Sequence, residues 1–176
     1  MSSSPSPDLH ADVRADVVEE AARLTDGLAR LEVVGRLLGG VAVAAHRHGD
    51  SPRTLDRTYS DIDILVPRRS GRAVASALGR LGYEGNKRFN ALHGDRRMMF
   101  QDRVHGRQLD VLVGTFAMCH ALDLDERLDT GTTTLTPADL LLTKLQVVHV
   151  TYKDLLDAVT LLHHHELGDR VGPRWT

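Results

Sequence analysis

The segment that most constrains this chain is Ser60-Asp61-Ile62-Asp63-Ile64-Leu65-Val66, in which two aspartates are set into an apolar run. Residues two apart on a strand point to the same face, so Asp61 and Asp63 would lie about 6.6 Å apart on one side of it. The branched apolar residues indicate a buried central strand rather than a half-exposed one. Two carboxylates at the end of such a strand repel each other unless a cation lies between them, and Mg²⁺ is the natural candidate.

A second strand-like stretch, Gln108–Val113, supplies a third carboxylate, Asp110, and stops at Gly114. The 47 residues from Asp63 to Asp110 leave room for one helix and two strands, so Asp110 can fall on a neighbouring strand. Three carboxylates on adjacent strands could hold one or two cations and align a nucleoside triphosphate for in-line attack. A pair of aspartates alone is as often a solvated strand end, so this hypothesis depends on the rest of the chain.

Two adjacent glycines, Gly39 and Gly40, precede the aspartates and lie between Leu37-Leu38 and an Ala-rich helical run. They allow a tight turn and expose backbone N–H groups at a helix start, which suits phosphate. A single Gly-Gly pair usually marks only a turn. The ordered series of Gly-Gly, Asp-x-Asp and a later strand aspartate is far more specific.

This series resembles the nucleotidyltransferase superfamily, which has a polymerase-β-type palm. It looks most like the small bacterial nucleotidyltransferases of the toxin–antitoxin and abortive-infection type, and more distantly like the antibiotic nucleotidyltransferases. The resemblance covers roughly Leu31 to Glu166. It implies an α+β fold, in which a small mixed β-sheet is flanked by helices and joined by C-terminal helices.

The resemblance also implies roles for individual residues. Gly39 and Gly40 would contact the triphosphate. Asp61, Asp63 and Asp110 would be the catalytic carboxylates that bind Mg²⁺, with Mn²⁺ as a substitute. Of the three, Asp110 is the candidate general base or the ligand of an acceptor-side metal.

Two cations complete the predicted nucleotide site. Arg57 stands in Arg57-Thr58-Tyr59-Ser60, which resembles the family's Arg-x-Thr-x-Asp lead-in in shifted form. Lys144 lies in the helix predicted after Pro137, where the family often has a lysine that faces the nucleotide phosphates. The alternative for Lys144 is a helix lysine that extends its ammonium group into solvent.

The predicted function is Mg²⁺-dependent transfer of an NMP from an NTP, ATP among the candidates, to a hydroxyl acceptor. The acceptor could be a tRNA end, a protein or a small molecule. One alternative is a non-catalytic, antitoxin-like protein of the same fold that binds nucleotide or a partner. Another is a metal-dependent hydrolase that uses the same carboxylates.

Composition bounds the remaining possibilities. A chain of 176 residues fits one domain, and a formal net charge of −2 argues against a globally basic nucleic-acid binder. The single cysteine excludes an internal disulfide framework and, with no apolar run of ~20 residues, leads us to expect a cytoplasmic protein without membrane contact. We expect a disordered tail over residues 1–7, the nucleotidyltransferase domain over 8–168 and a flexible tail over 169–176.

Hydrophobic periodicity and turn residues predict the secondary structure. Helices are expected over residues 8–34, 41–48, 70–81, from 137 onward and over 153–165. Strands are expected over 36–38, 61–66, 83–92, 97–102 and 108–113. A homodimer or a partner protein is an open alternative for the assembly, and the apolar surface of the long N-terminal helix is the candidate dimer contact.

Overall fold

A computed structural model of the chain describes residues 13–128 and 131–165. Within these ranges it contains six α-helices and seven β-strands. The helices are α1 (Val17–Arg30), α2 (Gly39–Ala45), α3 (Gly71–Arg80), α4 (Lys87–His93), α5 (Pro137–Leu145) and α6 (Tyr152–His164). The strands are β1 (Arg36–Leu38), β2 (Ile62–Val66), β3 (Tyr83–Gly85), β4 (Arg97–Asp102), β5 (Gln108–Val113), β6 (Thr115–Ala117) and β7 (Ala121–Asp123).

Five strands form a mixed sheet in the order β1-β2-β5-β4-β3. The central pair, β2 and β5, is parallel, and the other neighbours are antiparallel. Because β2 and β5 have neighbours on both sides, the two strands that carry the predicted carboxylates lie in the middle of the sheet. The α+β fold with a small mixed sheet and C-terminal helices is confirmed.

Side-chain caps fix where the helices begin. The Asp16 carboxylate accepts hydrogen bonds from the backbone N–H groups of Val18 and Glu19 at the start of α1. Thr136 caps α5, whose first residue is Pro137, and Thr151 forms a reciprocal capping box with Asp154 at α6. These are common helix-start patterns, which explains why the sequence located both C-terminal helices well.

The N-terminal helix differs from its prediction at both ends. It begins at Val17 and ends at Arg30 rather than spanning 8–34, and residues 1–12 lie outside the described residues. Its apolar stripe of Ala21, Leu24 and Leu28 is buried in the core. The expected apolar dimer surface on this helix is therefore absent from its described part.

The predicted strand over residues 83–92 is wrong beyond Gly85. Only Tyr83–Gly85 forms a strand, and α4 follows at Lys87. The Asn86 side chain accepts a hydrogen bond from the Phe89 N–H and so caps the helix. An asparagine in this position is a helix-start signal, and the apolar residues after it do not alternate as a strand would require.

The β6–β7 hairpin was not predicted. The Arg68 guanidinium donates to the Thr115 hydroxyl at 3.0 Å and to the Asp123 carboxylate at 2.7 Å, which ties the hairpin to the end of β2. At the other side, the His120 N–H donates to the Gln146 side chain at 3.0 Å. The tip of the hairpin is therefore held to Gln146, the residue that directly follows α5. No helix in the described ranges is both long and apolar enough to cross a membrane.

Candidate active site

Asp63 and Asp110 are direct neighbours in the parallel β2–β5 pair. Paired residues on adjacent strands point to the same face about 4.8 Å apart, so the fold brings these two carboxylates together. Asp61 lies just before β2 on an exposed stretch, where the Ser60 hydroxyl donates to its carboxylate at 3.2 Å. The sequence placed Asp61 inside the strand, whereas the strand begins one residue later, at Ile62.

Negative charge is concentrated around Asp63. Burial, together with the negative charges of Asp61 and Asp110, raises the pKa of Asp63 to about 7. Lys144 and Arg97 act in the opposite direction, but they do not cancel the effect. The three predicted carboxylates therefore interact with one another electrostatically, and the group is short of compensating positive charge.

Asp110 already has two partners. The Arg97 guanidinium donates to one carboxylate oxygen, with Nε at 3.0 Å and Nη2 at 2.9 Å, and the Gln108 amide donates to the other at 2.7 Å. Arg97 was not among the site residues predicted from the sequence. In the β4–β5 register Asp110 lies opposite Met99, so Arg97 is its diagonal neighbour on the same face. The register of the β4–β5 hairpin was the signal that could have identified this pair.

No three His, Cys, Asp or Glu side chains within residues 13–128 and 131–165 converge closely enough to chelate a metal ion by themselves. Both Asp110 oxygens accept hydrogen bonds, and Asp61 is exposed. Mg²⁺ does not need a complete protein cage, because it is commonly held by one or two carboxylates together with substrate phosphates. The raised pKa of Asp63 reflects negative charge that such an ion would relieve. Asp61 and Asp63 thus fit a divalent cation, with Asp110 beside them.

The two glycines are required by close contacts. Gly39 has a φ of 71°, in the left-handed region, and a Cβ atom there would collide with the Asp63 carboxylate. A Cβ atom on Gly40 would collide with the guanidinium of Arg57. Gly39 therefore lets the chain pass directly over Asp63, whereas Gly40 makes room for Arg57.

The two predicted cations share one buried counterion that the sequence did not single out. Arg57 Nε lies 2.9 Å from one oxygen of Asp157, and Lys144 Nζ lies 2.8 Å from the other. Lys144 also lies 3.7 Å from Asp154, and the Arg57 guanidinium stacks on the Tyr59 ring at 4.5 Å. Lys144 does not simply extend into solvent, because its side chain is only 13% exposed. The position of Asp157, one helical turn after Asp154 in α6, was the available signal.

An open cavity of about 770 Å³ lies over these groups. Asp63, Asp110, Gly39 and Lys144 line it, whereas Arg57 and Asp157 do not. The β6–β7 hairpin contributes an apolar wall that includes Phe116 and Met118. This volume lies within the usual range of small-molecule sites, roughly 300–1,000 Å³.

The arginines of the β4–β5 hairpin do not form one patch. Arg96 and Arg97 lie beside the cavity, but Arg103 and Arg107 lie at the other end of strands that are roughly 20 Å long. Arg107 is buried and donates to the backbone oxygens of Arg14 and Ala15. Its role is to hold the segment before α1 in place, so it offers no contact to an anionic partner.

Comparison with known families agrees with this geometry. Residues 10–168 match the family described as uncharacterised nucleotidyltransferase. The chain belongs to this family. It is therefore a nucleotidyltransferase, an enzyme that transfers an NMP group from an NTP, and enzymes of this kind generally use a divalent metal ion. No curated protein matches its sequence.

Solved structures of the same fold are antibiotic adenylyltransferases. The lincosamide antibiotic adenylyltransferase LnuA, bound to lincomycin, is 17% identical, with a TM-score of 0.60 over 84% of this chain and 98% of LnuA. ANT(2″)-Ia in complex with adenylyl-2″-tobramycin is 11% identical, with a TM-score of 0.52 over 82% of this chain and 86% of its own. At these identities the likeness concerns the fold.

Proposed function

We propose that this nucleotidyltransferase moves an NMP group, AMP in the first instance, from an NTP to a hydroxyl of a small molecule in a Mg²⁺-dependent reaction. The observation on which this depends is the pairing of Asp63 with Asp110 on the floor of the 770 Å³ cavity, opposite Lys144. Carboxylates on one side and an ammonium group on the other suit a metal-bound triphosphate.

The proposed reaction has a simple balance of bonds. The acceptor oxygen forms a bond to the α-phosphorus, the bond from that phosphorus to the α–β bridging oxygen breaks, and pyrophosphate leaves. The hydroxyl proton passes to Asp110, whose carboxylate the Arg97 guanidinium holds in place. A divalent cation held by Asp61 and Asp63 would neutralise charge on the triphosphate.

The cationic side of the site would position the leaving group. Lys144 reaches the β- and γ-phosphates from α5, and the chain at Gly39 and Gly40 passes beside the α-phosphate. Arg57 acts through Asp157, because it does not line the cavity but shares the Asp157 carboxylate with Lys144. In this role Arg57 is a positioning residue rather than a direct phosphate ligand.

A small acceptor suits the cavity better than a tRNA end or a protein. The wall formed by the β6–β7 hairpin is apolar at Phe116 and Met118, and the net charge of the chain is −2. A tRNA acceptor would instead require a continuous basic surface, and the hairpin arginines are too far apart to provide one. The two adenylyltransferases of similar fold also have small molecules bound, lincomycin in one and adenylyl-tobramycin in the other.

The test is transfer of label from each α-³²P-labelled NTP, with and without Mg²⁺, to three acceptor sets: lincomycin and tobramycin, bulk tRNA, and the protein itself. The expected result is Mg²⁺-dependent label on a small molecule, with release of pyrophosphate. Asp63→Asn should abolish it, and the matched control Asp56→Asn, which changes an exposed carboxylate outside the cavity, should not.

Other outcomes would each point elsewhere. Label found only on tRNA or protein would overturn the small-molecule acceptor. Free NMP without any labelled acceptor would identify a hydrolase. Tight, Mg²⁺-dependent nucleotide binding without transfer would favour the non-catalytic alternative, in which the ion pairs of Asp157 with Arg57 and Lys144 stay closed.

A further inference from the structure

The two C-terminal helices expose an unusual amount of apolar surface. Eight large apolar side chains between α5 and the end of α6 are 45% exposed or more, and Tyr152 reaches 72%. We call this surface the α5–α6 face. It consists of Leu142, Leu145, Val148, Val150, Tyr152, Leu155, Val159 and Leu162.

Charge is almost missing from the same surface. Across residues 137–165, Lys153 is the only exposed residue with a formal charge, although charged residues make up 26% of the whole chain. The acidic and basic residues of these helices, such as Asp157 and Lys144, point inward to the ion-pair network. A surface helix normally exposes its polar residues, whereas α6 carries apolar residues on both its buried and its exposed face.

The spacing on α6 matches a helix-packing seam. Tyr152, Leu155, Val159 and Leu162 follow steps of three, four and three residues, which is the a/d repeat of coiled coils. The opposite face, with Ala158 and Leu161, is buried. Because α5 and α6 both pack on α2, their exposed faces lie on the side away from the sheet.

We propose that the α5–α6 face is the contact surface of a homodimer, in which α5 and α6 of two copies pack together around a two-fold axis. Eight side chains at these exposures offer on the order of 800 Å² per copy, which is the area that a stable standard-size interface buries on each partner. A surface with a single cation has no charge pattern to select an acidic or basic partner, and an apolar face complements itself across a two-fold axis.

The position of the face relates the dimer to the cavity. Lys144 lines the cavity from α5 and Val147 lines it from the segment after this helix, and Val148 of the α5–α6 face follows directly. A second copy on this face would thus cover the outer side of the helix that carries Lys144. The inference does not depend on the identity of the nucleotide or the acceptor.

The test is the mass of the full chain in solution, measured by sedimentation equilibrium from about 1 to 100 μM. We expect twice the single-chain mass of 19.4 kDa. Leu155→Glu, at the centre of the face, should raise the dissociation constant at least about tenfold, as truncation of central interface residues does. Leu142→Glu, on α5, should act in the same direction.

The matched control is Leu92→Glu on α4, because Leu92 is 68% exposed but lies outside the face. It should leave the dimer intact. Circular dichroism checks that each variant is folded. A charged side chain at position 155 should be compatible with the fold, because Leu155 is 54% exposed.

Several results would overturn the proposal. A wild-type chain that stays monomeric up to 100 μM has no such dimer. If a chain shortened to residues 1–165 then dimerises, the segment 166–176 of the same chain covers the face instead. A dimer that survives both Leu155→Glu and Leu142→Glu forms through another surface.

Discussion

The strand side and the helix side of the cavity differ in their balance of charge. On the strand side, Asp63 is surrounded by Asp61 and Asp110, and its pKa is raised to about 7. On the helix side, Lys144 and Arg57 both pair with Asp157, and Lys144 also lies 3.7 Å from Asp154. The strand side thus has more carboxylates than cations until a ligand brings positive charge, whereas the two charges of each sign on the helix side balance. We infer that the carboxylates receive the cation and that the helix cations are held in place before the nucleotide arrives.

Asp63→Asn should give the largest effect. We expect the transfer rate to fall by about 10²–10³-fold or more, because Asp63 would hold the cation that neutralises charge on the triphosphate. A retained rate within tenfold of the wild type would remove Asp63 from the catalytic group.

The same substitution should stabilise the fold at high pH. The folded-state pKa of Asp63 lies above its ordinary value of 3.8, so the wild type loses stability as the pH rises from about 4 through about 7. An asparagine does not ionise, so the variant should be more stable by roughly 1–3 kcal/mol at pH 8 and equal to the wild type near pH 3–4. Urea unfolding at both pH values checks this. Equal stabilities at pH 8 would contradict a raised pKa of Asp63 in the folded protein.

Asp157→Ala tests the ion pairs on the helix side of the cavity. Removal of this carboxylate leaves two cations without their shared counterion in a site where both are at least 85% buried by side-chain area. We expect the free energy of unfolding to fall by about 3 kcal/mol, the scale for breaking one partner out of a buried ion pair. The control is Asp123→Ala, at an exposed pair with Arg68, which should cause no measurable change in urea unfolding. An Asp157→Ala protein as stable as the wild type would show that the network is dispensable.

Lys144→Met should separate binding from chemistry. The ammonium group lies in the cavity and the thioether retains most of its packing, so we expect kcat/KM for the NTP to fall about 10- to 100-fold, mainly through KM. Lys87→Met, on the exposed start of α4, is the matched control and should not change either constant. Loss of kcat alone, with KM unchanged, would mean that Lys144 contacts the nucleotide only in the transition state.

The difference between the two sides also explains what the sequence could predict. Asp63 and Asp110 lie on short apolar strands, and local patterns of that kind are readable without the fold. Asp110 was predicted to fall on a strand next to that of Asp63, whereas their pairing in register and the contact of Gly39 with Asp63 are seen only in the structure. The strand side of the site was predictable to that extent, apart from Arg97.

The helix side was not predictable in the same way. Arg57 and Asp157 are 100 residues apart in sequence, and only tertiary packing brings them to 2.9 Å. The capping asparagine at Asn86 shows a different failure, since its signal was present but the apolar residues after it were assigned to a strand. The helix-start signal of Asn86 was present in the sequence but was not used. The contact between Arg57 and Asp157 could not be read from the sequence at all.

Arg97→Gln should give the smallest effect and test the cation that forms an ion pair with Asp110 on the strand side. Arg97 occupies one oxygen of Asp110 and lowers the pKa of Asp63, so its loss frees a carboxylate oxygen while making Asp63 harder to ionise. At pH 8.5, where Asp63 is ionised, we expect Mn²⁺ to bind roughly two- to fivefold more tightly, since a half-exposed ion pair is worth about 0.5–1 kcal/mol. Near pH 6.5 the gain should shrink or reverse, because Asp63 then holds its proton more firmly. Calorimetric titration at both pH values measures this, with Arg97→Lys as the variant that keeps the charge. An affinity unchanged at both pH values would mean that Asp110 takes no part in cation binding, and the metal would then belong to Asp61 and Asp63 alone.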